Sequence, residues 1–187
     1  LWANISKLRS VLDPDRPKGR DGSVLLTRAP GYTLVVEPDA TDVGRFELLA
    51  AEGKRLLDVD PLAASRVYRE ALALWRGRAL EEFVYDDFAQ AEIARLEEQR
   101  LSAIEDRFDA DLRVGSSRGL VGELEGLTRL HPLRERMTAH LMMALYRSGR
   151  QGEALRVFGT FRATLRDELG LDPSADLSAL EERIVLA

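Results

Sequence analysis

Residues 144–158 read ALYRSGRQGEALRVF, and this stretch decides the fold. Ala144, Leu145 and Tyr146 close one helical pattern, Ser148-Gly149 breaks it, and Ala154, Leu155 and Phe158 resume it. A small residue permits close approach of paired helices, and aromatics fill the adjoining gap. Gly149 lies 34 residues after Gly115, and at the same shift Leu120, Leu124 and Leu127 map onto Ala154, Phe158 and Phe161. Ala64, Tyr68 and Ala71 carry the same second-helix pattern at an offset of 56 from Leu120, which fits no second period.

Outward from this repeat, no strand signal occurs after Asp42. The periodicity predicts helices at about 42–57, 61–76, 86–114, 117–130, 133–148, 151–169 and 175–186. Thr41 and Asp42 can cap the first, Asp60-Pro61 starts the second, and Gly53 weakens the last turn of the first. Short breaks at Gly115, His131-Pro132, Gly149 and Gly170 imply antiparallel neighbours. The stretch 144–158 resembles a tetratricopeptide repeat, so the region reads as an irregular array of helical hairpins. Tyr146, Ala154 and Phe158 are expected to be buried where its last helices pair.

The first 40 residues differ. Leu1, Ile5, Leu8 and Leu12 form one apolar stripe, which predicts a helix over 1–12 with that stripe inward. It opens with no N-cap, so an element is expected to begin upstream of Leu1. Residues 13–23 (DPDRPKGRDGS) read as a mobile loop. Val24 to Thr27 and Tyr32 to Val36 flank Arg28-Ala29-Pro30-Gly31, which reads as a β-hairpin ended by Pro38 and Asp39. Charge divides at the same place. Residues 1–36 hold six basic and three acidic side chains, and the other 151 hold 21 and 29. A basic segment can meet phosphate, whereas an acidic helical body suits protein partners better than nucleic acid.

The chemical search is largely negative. The 187 residues contain no cysteine, which excludes disulfides, thiol catalysis and thiolate metal sites. Two histidines, His131 and His140, make a histidine metal site or relay improbable. No phosphate loop, nucleophile elbow or H-E-x-x-H helix is present. The pairs Asp86-Asp87, Glu97-Glu98 and Glu181-Glu182 read as solvated helix faces, His131 as a cap or loop residue, His140 as a structural histidine, and Met142 and Met143 as core. The expectation is no catalytic residue, metal or cofactor. No apolar run suits a membrane span and no signal peptide opens the chain, which points to the cytoplasm.

With its apolar stripe inward, the first helix turns Ala3, Ser6, Lys7 and Ser10 outward, flanked by Trp2, Asn4 and Arg9. Small side chains allow close approach to a groove, and long basic ones reach phosphates or guanine edges. A helix, a loop and a hairpin form the second half of a winged helix, with Arg28 at the wing tip near a minor groove or phosphate. The candidate DNA contacts are therefore Trp2, Ala3, Asn4, Ser6, Lys7, Arg9, Ser10 and Arg28. An ordinary amphipathic surface helix is the competing reading for 1–12.

Residues 4–9 (NISKLR) followed by 26–32 (LTRAPGY) resemble the recognition helix and wing of OmpR-type winged helices. More narrowly they resemble those of the Streptomyces antibiotic regulatory protein family, of AfsR/DnrI type. Residues 71–77 (ALALWRG), 91–98 (AEIARLEE), 131–135 (HPLRE), 144–150 (ALYRSGR) and 168–173 (ELGLDP) are similar to the bacterial transcriptional activator domain of that family. The family's N-terminal strands and first two winged-helix helices have no counterpart in this sequence. The resemblance implies a mainly α fold: a C-terminal part of a winged helix at 1–38 and a tetratricopeptide-like activator domain at 41–187. It also implies an activator of transcription, of the kind that regulates antibiotic biosynthesis. Such a protein binds direct repeats in promoter DNA as a homodimer and recruits RNA polymerase with its sigma factor. The alternative is a protein-interaction or ligand-sensing module of a larger signalling regulator.

Overall fold

The computed structural model describes residues 2–15 and 24–187, apart from the Arg118 side chain. The described residues form eight α-helices and one two-stranded sheet, in two compact units, Leu1–Leu48 and Leu49–Ala187.

The first unit begins with α1, Trp2–Leu12. The strands β1, Leu25–Arg28, and β2, Gly31–Leu34, pair antiparallel with Leu25 opposite Leu34 and Arg28 opposite Gly31. Most of the expected loop at 13–23 lies outside the described residues. A 3-10 turn at Pro38–Ala40 leads into α2, Asp42–Leu56. The Thr41 hydroxyl accepts from the Gly44 amide at 3.0 Å, satisfying one of the free amides at the helix start. A Cβ at Gly44 would fall on the Pro38 carbonyl, so only glycine permits this entry. Phe46 is buried. The expected boundary at 38–41 falls at the 3-10 turn before α2, while the compact units part between Leu48 and Leu49, inside that helix.

The second unit holds α3 (Pro61–Ala73), α4 (Asp87–Val114), α5 (Val121–Leu130), α6 (Glu135–Arg147), α7 (Gln151–Leu169) and α8 (Ala175–Leu186). Asp60 caps α3, accepting from the Ala63 amide at 3.0 Å, with Pro61 in the first helical position. Two further 3-10 turns occur at Glu81–Phe83 and Arg118–Leu120. The helix α4 packs on α3 and α6, α6 on α5 and α7, and α8 on α6 and α7. Gly115 and Gly149, with φ of +96° and +80°, end α4 and α6. The Ser116 amide returns to the Asp111 carbonyl and the Arg150 amide to the Leu145 carbonyl, closing both helices in the same way. The 34-residue repeat is thus a repeat of helix ends as well as of core positions.

Phe108, Leu124, Met142, Leu145, Ala154 and Phe161 belong to one continuous buried cluster. Phe158 is buried too, but Tyr146 is only half-buried at the edge of that cluster. Gly53 does not weaken α2 as expected. A side chain there would press on the Tyr68 ring, so its absence admits a fully buried aromatic.

A polar seam runs along α4. Asp111 accepts from Ser65 at 2.5 Å, Arg69 at 2.7 Å and Arg107 at 3.4 Å, and Arg107 also reaches Glu123 at 2.6 Å. Asp106 accepts from the Tyr68 hydroxyl at 3.0 Å and lies 2.6 Å from Arg136. Asp109 meets His140 Nε2 at 3.3 Å and accepts from Arg136 at 2.9 Å. His140 is buried and its ring lies 6.1 Å from that of Phe108, so it is structural. His131 closes α5 through its amide. Of the pair expected on a solvated face, Glu98 is exposed and meets Arg134 there, whereas Glu97 is half-buried and accepts from the Ala79 amide at 2.8 Å.

Two outcomes test this packing. Ala154→Leu should cost roughly 1–3 kcal/mol by overpacking, read as a lower unfolding midpoint; parental stability would overturn the α6–α7 register. The hydrogen bond from His140, helped by Arg136, holds the Asp109 carboxyl down to about 2. A depressed carboxylate adds stability above its unfolded value of about 4, lost as pH falls toward the folded value. Asp109→Asn should therefore melt below the parent at pH 7, with the gap closing between about pH 4 and pH 2. A gap independent of pH would refute the charge role.

Candidate nucleic-acid interface

The strand β1 packs on α1, and Arg9 bonds to it. Arg9 Nε donates to the Leu25 carbonyl at 3.0 Å, and its terminal nitrogen donates to Thr27 Oγ1 at 2.7 Å. Its guanidinium carbon lies 5.7 Å from the Tyr32 ring centre. Only 9% of Arg9 is exposed. This corrects its assignment as a groove-facing contact: its donors face the hairpin. The β1 edge offers a carbonyl and a hydroxyl that no leucine could satisfy, and a planar guanidinium can meet both at once.

The apolar stripe is corrected for the same reason. Leu8 is 49% and Leu12 42% exposed, because the helix turns Arg9 toward the hairpin. Leu1 lies outside the described residues. Nothing in the spacing of apolar residues marks Arg9 as the inward position; its place four residues after Ile5 is the one clue.

The remaining candidates are all exposed: Trp2, Ala3, Asn4, Ser6, Lys7 and Ser10 on α1, and Arg28 at the end of β1. Ala3, Ser6, Lys7 and Ser10 follow the three- and four-residue spacing of one helix face. The Ser10 hydroxyl donates to the Ser6 carbonyl at 3.0 Å. That bond leaves its oxygen lone pairs available to accept. Lys7 supplies a point charge on a flexible stem, and the turn carries Arg28 on a β-strand fixed by the Arg9 contacts. Arg16, Lys18 and Arg20, which add to the basic character of this segment, lie outside the described residues.

The second unit offers a groove of about 540 Å³ between α4, α6 and α8, with Leu112, Met143, Leu177 and Leu180 among its lining. Its Arg113, Arg136 and Arg147 already bond to Asp58, to Asp106 and Asp109, and to the Leu112 carbonyl. Among the described residues no group of three or more His, Asp or Glu side chains could hold a metal ion, and no helix is long and apolar enough to cross a membrane.

Comparison with known proteins identifies the second unit. The pattern of the bacterial transcriptional activator domain matches residues 41–185. The regulatory protein DnrI of Streptomyces peucetius is 47% identical over 165 residues, covering 88% of this chain and 61% of that protein. The regulatory protein AfsR of Streptomyces coelicolor is 42% identical over 184 residues, covering 97% of this chain and 18% of that protein. A solved structure of Mycobacterium tuberculosis EmbR, in complex with a low affinity phosphopeptide, superposes with a TM-score of 0.88 at 33% identity. The match covers 98% of this chain and 48% of that one. The chain thus spans less than two thirds of each of these proteins. These relatives are named as regulators, not enzymes. By the match over 41–185, the chain belongs to the bacterial transcriptional activator domain family.

Proposed function

We propose that the chain is the promoter-binding and activating part of a cytoplasmic transcriptional activator. On this reading α1 enters the major groove of direct promoter repeats, and the hairpin carries Arg28 to an adjacent phosphate or minor groove. Two copies bind adjacent repeats as a homodimer. The helical unit recruits RNA polymerase and its sigma factor. One observation carries the DNA half: an exposed row of small and basic side chains on α1, with Arg28 on a hairpin that Arg9 fixes to the same helix. Small side chains allow the backbone of a recognition helix to approach base edges, while the basic ones position it on phosphates.

The activating half follows from charge. Residues 37–187 carry 21 basic and 29 acidic side chains. A body with that balance gains little from phosphate and is suited to protein contact. Recruitment does not need tight binding. Contacts of a kcal/mol or two multiply when DNA holds both partners at high local concentration.

In the complete protein, Lys7→Ala and Arg28→Ala should each weaken binding to all sequences and lower the salt slope by about one unit, as phosphate contacts do. Arg9→Ala should also weaken binding, with a fall in slope no larger than that of Arg28→Ala, because Arg9 acts by positioning the hairpin that carries Arg28. An unchanged slope for both Lys7→Ala and Arg28→Ala would overturn the interface. The activating role is read separately. At matched promoter occupancy, a form lacking residues 49–187 should leave in vitro transcription near basal level, whereas the whole protein raises it. Equal activation by both would place the polymerase contact on the first unit.

A further inference from the structure

The connection between α3 and α4 places four large apolar side chains outside. Tyr85 is 96% and Phe88 76% exposed, and Leu80 and Phe83 are also exposed. Single exposed apolar residues are ordinary, but a cluster within nine residues marks a surface that another molecule covers. The connection is held rigidly. The Ala79 amide donates to Glu97, and Arg100 donates to the Gly77 carbonyl at 3.1 Å. Gln90 Nε2 donates to the Val84 carbonyl at 2.8 Å, and the Phe83 and Phe88 rings stand 5.6 Å apart. Leu80 adopts the left-handed conformation at φ 45°, which is costly for a branched side chain. A connection held this firmly in an unfavourable conformation displays its aromatics with little entropy left to lose on binding.

Charge selects the occupant. Glu81, Glu82, Asp86 and Asp87 are interspersed with the aromatics along the connection, and no Lys or Arg occurs from Ala79 through Ala94. Nucleic acid is repelled. A symmetric pairing with a second copy would set carboxylate against carboxylate. The complement is an apolar-faced helix rimmed with Lys and Arg, whose apolar side covers Tyr85 and Phe88.

We propose that this connection is the surface by which the helical unit grips a basic, apolar-faced helix of the transcription machinery. The proposal rests on reading the helical unit as the activating half. Two variants of the complete protein test it: Tyr85→Ser with Phe88→Ser, and Asp86→Lys. The Asp86 side chain makes no cap hydrogen bond, so its reversal leaves the start of α4 intact. The readout is the affinity of promoter-bound protein for purified RNA polymerase holoenzyme across a salt series, beside the form lacking 49–187. Both variants should keep parental DNA affinity and lose roughly tenfold or more in polymerase affinity. Asp86→Lys should also flatten the salt dependence of that contact. Parental polymerase affinity in both variants, with loss only in the shortened form, would overturn this surface and leave the activating half in place. Parental affinity in all three forms would overturn the activating reading itself. Loss of a dimer in sedimentation at unchanged polymerase affinity would make the connection a self-association surface and overturn the proposal.

Discussion

A carboxylate inside a helical bundle constrains everything around it, and Asp111 is such a group. It is buried on α4 facing α3, where an uncompensated charge would cost several kcal/mol. Ser65 and Arg69 supply its donors from α3, and Arg107 supplies one from a turn earlier on α4. Because Arg107 also reaches Glu123, the compensation of one charge fixes where α5 lies. Asp106 and Asp109 act in the same way toward Tyr68 on α3 and toward Arg136 and His140 on α6. Hydrophobic burial drives these helices together without direction, and the seam selects one register among the arrangements that burial alone would allow.

That division explains what the sequence made legible. The helices were readable because apolar periodicity and glycine or proline breaks are local signals. The expected 151–169 and 175–186 match α7 and α8 in the structure. The register was not readable, because it depends on pairs such as Ser65 with Asp111, 46 positions apart. Glu97 looked like part of a solvated face because a carboxylate gives no sign of which distant donor it will meet.

The candidate interface failed in one informative place. Residue types on α1 named an outward row that is exposed, yet the same reasoning assigned Arg9 to DNA. Basic residues near a groove-binding face are ambiguous, since a guanidinium serves a phosphate or a carbonyl equally well. Only the position of β1 decides between them. The aromatic connection before α4 was missed for a different reason. An aromatic residue in a sequence carries no mark of whether it will be covered, and neither the exposure of Tyr85 and Phe88 nor the left-handed turn at Leu80 is announced by any periodicity.

The opposite charge balance of residues 1–36 and residues 37–187 has a consequence for how a regulator of this kind could work. A basic reading surface gains from phosphate at long range, and an acidic body attached to it would be held off the same duplex. On the proposed function, an acidic surface that gains nothing from phosphate is left for a protein partner. Each contact can then stay weak by itself, since tethering through the promoter supplies the effective concentration that a solution encounter lacks. Weakness also protects specificity. A helical unit that held polymerase tightly would hold it away from promoters too, whereas one with a small, rigid, charge-rimmed aromatic patch gains its partner where DNA has already placed both.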